Sequence, residues 1–240
     1  MQTGGVEPHL LRRYGSTEGA QAYRHKYERS LARRISNRRE LAIVARALER
    51  AEARGHVLDC PCGAGRLIPA ILGRADHVTG IDLSAAMVTE AGDALAPLIT
   101  AGRVELLVGS AARLPLPDAS VDTAVCHRLI HHLPDAADRA RVLAELARVA
   151  RRSVVLSFAD ATSWKARSQR RRNIERRRYA LTPEALYAEA EPHGLVPRSH
   201  PLRLAGIFSL VAVAVFTVAR GNDAPTPADG PGTRSATGRS

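Results

Sequence analysis

Three short clusters of residues in this sequence combine side-chain chemistry with spacing that could serve a ligand. The first is Val57-Leu58-Asp59-Cys60-Pro61-Cys62-Gly63-Ala64-Gly65-Arg66, an apolar run that ends in a turn with two closely spaced glycines. Lacking Cβ atoms, Gly63 and Gly65 permit a tight turn and let a ligand approach the backbone. The helix expected to follow offers free N–H groups at its start to a carboxylate or phosphate. The second cluster is Val78-Thr79-Gly80-Ile81-Asp82-Leu83-Ser84, where another apolar run closes on an acid. In doubly wound folds a carboxylate at that place accepts hydrogen bonds from the hydroxyls of a ribose. The third is His131-His132, followed by Leu133-Pro134-Asp135. An imidazole with an ordinary pKa of about 6.5 takes a proton from a phenol, hydroxyl or amine near neutral pH. A base so positioned accelerates a reaction by ~10²–10⁴-fold. His131 is slightly preferred for that role, although both rings could be structural, one bonded to a carbonyl and the other packed under the helix beginning near Pro134.

Cys60 and Cys62 invite a zinc reading, but no second pair of ligands has metal-like spacing, and no metal is expected. With Cys126 they make three cysteines, no disulfide framework, which fits a reducing cytoplasm. The start of the chain carries no apolar stretch resembling a signal peptide. Residues 204–219 are apolar and uncharged but shorter than the ~20 residues of a spanning helix, and a pair of buried strands accounts for them better.

The elements that must position these clusters follow from the periodicity of apolar residues. Residues 17–54 read as helical, with Leu31, Ile35, Leu41, Val44 and Leu48 as apolar stripes and Gly55 as the stop. Strands are expected over 57–60, 77–82, 104–108, 121–126 and 153–158. Helices over 67–72, 85–95 and 136–149 alternate with them. Strands separated by helices indicate a parallel, doubly wound sheet. Thr182, Pro183 and Glu184 read as a helix start of the capping-box kind, and two last strands fit within 196–204 and 210–220 as an antiparallel closure.

Apolar residues make up 45% of the chain and aromatics 4%, so the core must consist of Ala, Val, Leu and Ile, as in a sheet covered on both faces. The net charge of +11 favours anionic partners, with compositional bias towards Arg as the plain alternative. Much of that charge lies in two places, residues 24–39 and an insertion over 160–180, in which Trp164 to Arg178 sets Lys165, Arg167, Arg170–Arg172 and Arg176–Arg178 against one acid, Glu175. Residues 1–16 read as a loose leader and 221–240 as a disordered tail, leaving one domain over 17–220.

A nicotinamide dinucleotide enzyme would share the first two clusters, but the third glycine of its fingerprint is replaced by Ile68. The whole set tells more. Residues 58–66 (LDCPCGAGR), 80–84 (GIDLS), 109–126 (GSAARLPLPDASVDTAVC) and 131–135 (HHLPD) together resemble the class I S-adenosylmethionine-dependent methyltransferases. The nearest likeness is to the small-molecule group that includes the ubiquinone and menaquinone methylases, and it covers roughly residues 20–220.

The resemblance implies a Rossmann-like α/β fold: a doubly wound, seven-stranded, mostly parallel sheet with N-terminal covering helices. It implies S-adenosylmethionine as cofactor and S-adenosylhomocysteine as product. Asp59, Cys62, Gly63 and Gly65 would shape the methionine end of the pocket, and Asp82 would hold the ribose. Leu83 and Met87 would pack near the adenine, with Ser110 and Ala111 at its edge. Cys126 and His127 would border the sulfonium, and His131 and His132 would face the acceptor. The covering segments would place Tyr23, Tyr27 and Trp164 against the acceptor. Two positions depart from the family: Pro61 stands where glycine is usual, and Ser110 where an acid usually meets the adenine amino group. The expected activity is methyl transfer to O or N of a small molecule, anionic or lipid-like given the basic cap. The alternatives are an RNA methyltransferase using its basic helices, a non-catalytic cofactor-binding partner, and a protein in peripheral contact with a membrane.

Overall fold

The computed structural model describes residues 31–171, 179–203 and 210–220. The leader, Tyr23, Tyr27, the middle of the Arg-rich insertion and the tail all lie outside the described residues. Alternation of strands and helices begins as the sequence predicts, with β1 (His56–Asp59), α2 (Ile68–Leu72), β2 (His77–Asp82), α3 (Ala85–Thr100), β3 (Val104–Val108) and β4 (Val121–Cys126). A 3₁₀ turn over Ile130–His132 precedes α4 (Ala136–Val149), β5 (Ala150–Asp160) and α5 (Trp164–Arg171). The chain then forms β6 (Ala180–Leu181), α6 (Pro183–Ala190), β7 (Leu195–Pro197), β8 (Leu202–Arg203) and β9 (Val211–Val218). Before all of these stands α1 (Leu31–Arg50), the described part of the predicted N-terminal helix.

The main path of the sheet is β3-β2-β1-β4-β5-β9-β7, seven strands as expected. The first five are mutually parallel, and β9 runs antiparallel between β5 and β7. The short β6 and β8 bring the sheet to nine strands among the described residues, where the sequence reading has seven. Two-residue strands carry too little periodicity to be seen in a sequence.

Both faces of the sheet are buried, and the period of two sorts its side chains. Leu58, Cys126, Val154, Leu156, Ala214 and Phe216 pack with Val142, Leu143 and Leu146 of α4. Their immediate neighbours Val57, Val125, Val155, Val213 and Val215 pack on the opposite face with α1, α2 and α3. Such strands read as unbroken apolar runs, which is why they were legible.

Helix α1 corrects two expectations. It stops at Arg50, and the chain turns through Glu52 at φ 51°, so Gly55 (φ 62°) lies in the bend before β1 instead of ending the helix. Its apolar stripe also serves only its second half: Ile43, Val44, Ala47 and Leu48 are buried, whereas Leu31 and Ile35 are exposed. At α6, Thr182 caps by accepting from the Ala185 N–H. The reciprocal half of a capping box is missing because its third helical position is Ala185. No helix among the described residues is long and apolar enough to cross a membrane.

Candidate functional site

The strand order reverses between β1 and β4, the place where open α/β sheets form a crevice beyond their C-terminal strand ends. Backbone bonds tie the tips together there. Cys60 N–H donates to Val125 O (2.9 Å), Cys62 N–H to Ile81 O (2.9 Å), and Gly109 N–H to Asp82 O (3.0 Å). The turn after β1 therefore hangs between β2 and β4 and has little freedom of its own.

Asp82 closes this arrangement. Its Oδ2 accepts from Gly63 N–H (2.8 Å) and its Oδ1 from Ser84 N–H (2.9 Å). The half-buried carboxylate still has lone pairs for a ligand. Burial pushes its pKa up, opposed by its backbone N–H donors at Ser84 and Gly63. Ser84 in turn caps α3 by accepting from Met87 N–H (3.2 Å), which buries Met87 beside Ala64 and leaves Leu83 half-buried at the tip. The glycines divide their work. Gly63 (φ 55°) and Gly65 (φ 74°) both occupy left-handed backbone. A Cβ at Gly65 would lie 2.6 Å from Leu95 of α3, so this glycine serves the packing of turn on helix more than ligand approach.

Asp59 is the least settled group in the molecule. It is fully buried, both carboxylate oxygens lack a hydrogen-bond partner among the described residues, and burial raises its pKa to about 8 against the pull of Arg66. A buried polar group without partners is rare and costly, and it points to a ligand group that completes it. Ser110 is half-buried beside the β2 tip, and its hydroxyl accepts from Ala112 N–H (3.2 Å), which leaves one lone pair where the family resemblance implies an adenine contact. Ala111 is half-buried next to it. Cys60, Cys62 and Cys126 are all buried, and burial pushes each thiol well above its ordinary range.

At the tip of β4, His127 is buried, its Nε2 lies 3.8 Å from Glu40 Oε2, and burial lowers its pKa. Arg128 follows in left-handed backbone (φ 66°), its N–H bonded to Ser157 Oγ (2.7 Å). The two histidines beyond it differ. His131 is 1% exposed, whereas His132 is half-buried, their ring centroids 4.4 Å apart. The His131 carbonyl accepts from Tyr179 N–H (2.8 Å), near the end of the Arg-rich insertion. Trp164 is half-exposed at the start of α5.

The tips thus gather Asp59, Cys62, Gly63, Gly65, Asp82, Leu83, Met87, Ser110 and Ala111 around β1, β2 and β3, with Cys126 and His127 at β4. Sequence reasoning missed Glu40 on α1, whose Oε2 meets Arg66 Nη2 (3.2 Å) and Arg128 Nη1 (3.4 Å). A lone acid behind Arg33, Arg34, Arg38 and Arg39 was the available clue. It also missed Arg139, whose guanidinium holds Glu189, the Leu133 and Pro134 carbonyls and the Tyr179 ring.

Residues 58–158 match the family described as a methyltransferase domain. An O-methyltransferase of Pyrenophora dematioidea is 34% identical over 44% of this chain and 39% of its own length. The 27-O-demethylrifamycin SV methyltransferase of Amycolatopsis mediterranei is 36% identical over 43% of this chain and 38% of its own. The chain thus spans about two fifths of the length of the curated relatives it matches. Among solved structures, magnesium protoporphyrin IX methyltransferase of Synechocystis PCC 6803, with bound S-adenosylhomocysteine, superposes with a TM-score of 0.72 at 21% identity. That alignment covers 88% of this chain and 99% of the other, and it shows a shared fold. Residues 58–158 thus match a methyltransferase-domain family, and the sheet order is that of a methyltransferase fold.

Proposed function

We propose that the chain binds S-adenosylmethionine across the tips of β1, β2 and β3 and transfers its methyl group to an oxygen of a small-molecule acceptor. The observation that carries the reading is Asp59, a fully buried carboxylate left without partners beside a glycine turn bonded to Asp82. An ammonium group of the amino-acid end satisfies Asp59, and the ribose hydroxyls fit the lone pairs left on Asp82. Bound there, the cofactor supplies a methyl group already activated on a sulfonium.

The protein's own part is then mostly positioning, which can contribute ~7–11 kcal/mol to lowering a barrier. The buried tips exclude water, and His127, kept neutral by burial, adds no charge to repel a sulfonium. Of the two histidines, His132 is the open one and takes the proton from an acceptor hydroxyl, while His131 supports it from the interior. Oxygen as the acceptor atom rests on the O-methyltransferases among the relatives. The cations of residues 164–171 favour an acceptor with negative charge.

The test is a calorimetric titration with S-adenosylhomocysteine, followed by turnover of labelled S-adenosylmethionine with fractionated small-molecule extract. Binding together with extract-dependent label transfer supports the reading. Label transfer to RNA that falls steeply with salt would replace the small molecule by a nucleic acid.

A further inference from the structure

We propose that Glu40 is a clasp: by holding Arg66 and Arg128 with one carboxylate oxygen, it fastens α1 across the two lips of the donor pocket and slows the donor's escape. The proposal rests on the donor-binding reading above.

The three residues come from three separate places. Glu40 sits in the middle of α1, Arg66 directly follows the glycine turn of β1, and Arg128 follows the tip of β4. β1 and β4 are the strands that flank the reversal in sheet order, so the two arginines stand on opposite sides of the crevice. Glu40 Oε2 reaches both, at 3.2 Å and 3.4 Å, with His127 Nε2 at 3.8 Å. The side chains of Glu40, Arg66 and Arg128 are 13%, 17% and 18% exposed, well short of the surface pairs that water weakens to almost nothing. Asn37, one turn earlier on α1, accepts from Arg66 Nη1 and orients the guanidinium.

The rest of α1 explains why a clasp matters. Among its described side chains, the buried apolar ones lie in the second half, from Ile43 to Leu48, packed on β9 and α2. In the first half, Leu31 and Ile35 face outward, and Asn37 and Glu40 make its polar contacts to the strand tips among the described residues. Burial raises the carboxyl's pKa, but His127, Arg128 and Arg66 reverse this and hold it down to about 2, so the clasp stays charged throughout the neutral range. Neutralising it removes the anion that the two guanidiniums share. Arg128 reports the same constraint, since its backbone is held in left-handed conformation with its N–H fixed on Ser157.

Four proteins test this: wild type, Glu40→Gln, Glu40→Asp and the control Glu49→Gln, an exposed acid on the same helix paired with Arg74 at 3.6 Å. Stopped-flow displacement measures release of S-adenosylhomocysteine, calorimetry its Kd, and circular dichroism the Tm without ligand. Glu40→Gln should release the ligand about tenfold faster and bind it about tenfold more weakly, the loss expected for a charge-assisted hydrogen bond. The association rate should stay near wild type while the Tm falls with the loss of a largely buried ion pair, Glu40→Asp should fall between, and Glu49→Gln should match wild type. If Glu40→Gln does not fold, Glu40→Asp decides alone, since it keeps the charge and shortens the reach. Unchanged release in the folded Glu40 variants overturns the clasp, as does tighter binding, which would make Glu40 a competitor for the donor's place. Failure of folded wild type to bind S-adenosylhomocysteine overturns the donor reading and the clasp with it.

Discussion

Asp59 sets the electrostatics of the site because nothing in the described protein satisfies it and its pKa stands at about 8. An ordinary Asp titrates near 3.9, so between about 4 and 8 the unfolded chain has released a proton that the folded chain retains. The contribution of Asp59 to stability therefore falls as pH rises through that window and levels off above it. Urea unfolding across pH should show this decline in wild type and a shallower one in Asp59→Asn; parallel profiles would contradict the assignment. A ligand cation against Asp59 favours its ionised form, so S-adenosylhomocysteine binding at pH 7 should release protons. Calorimetry in buffers of different ionisation enthalpy measures that release, and buffer-independent heats would leave Asp59 without a ligand cation. For the histidines, His132→Ala should lower turnover by ~10²-fold or more while S-adenosylhomocysteine affinity holds. Equal loss of affinity would move His132 from the acceptor to the donor side.

At the scale of elements, two residues hold loops whose positions define the proposed pocket. Gly65 lies at φ 74° with no room for a Cβ against Leu95. Gly65→Ala should cost at least ~2 kcal/mol, combining left-handed backbone strain with overpacking, as read by chemical denaturation. Arg139 is buried on α4 and joins Glu189 of α6 at 2.6 and 2.8 Å to the carbonyls that follow the histidine turn. Arg139→Ala should cost about 3 kcal/mol, since it strands a partly buried carboxylate and two carbonyls. Arg139→Lys should recover only part, because an ammonium cannot present the guanidinium fork. Neither position was legible beforehand. Arg139 looks like any helix-surface cation until α6 folds onto it, and Gly65 looks like a ligand-contact glycine until α3 packs beside it. What was legible had a local cause: apolar runs buried on both faces, glycines in the turn after β1, and an acid ending β2.

Over the described residues, five parallel strands place three loops at one end of the sheet, and α1 reaches that end through Glu40. The parallel core follows from strands separated by helices, and it was readable from the sequence, whereas the strand order comes from the structure. The contacts made at the strand tips by α1 and by Tyr179 were not readable, because they join residues far apart in the chain, as with Glu40 and Arg128 or His131 and Tyr179. The central claim is that one nucleoside with an amino-acid tail spans Asp82 and Asp59. Calorimetric titration of wild type and Asp82→Ala with S-adenosylhomocysteine, alongside NADH, tests it most directly. Saturable binding of S-adenosylhomocysteine alone is expected, weakened roughly tenfold to a hundredfold in Asp82→Ala, about 1.4 to 2.7 kcal/mol. Equal affinity in the two proteins, or uptake of NADH in place of S-adenosylhomocysteine, would contradict the claim.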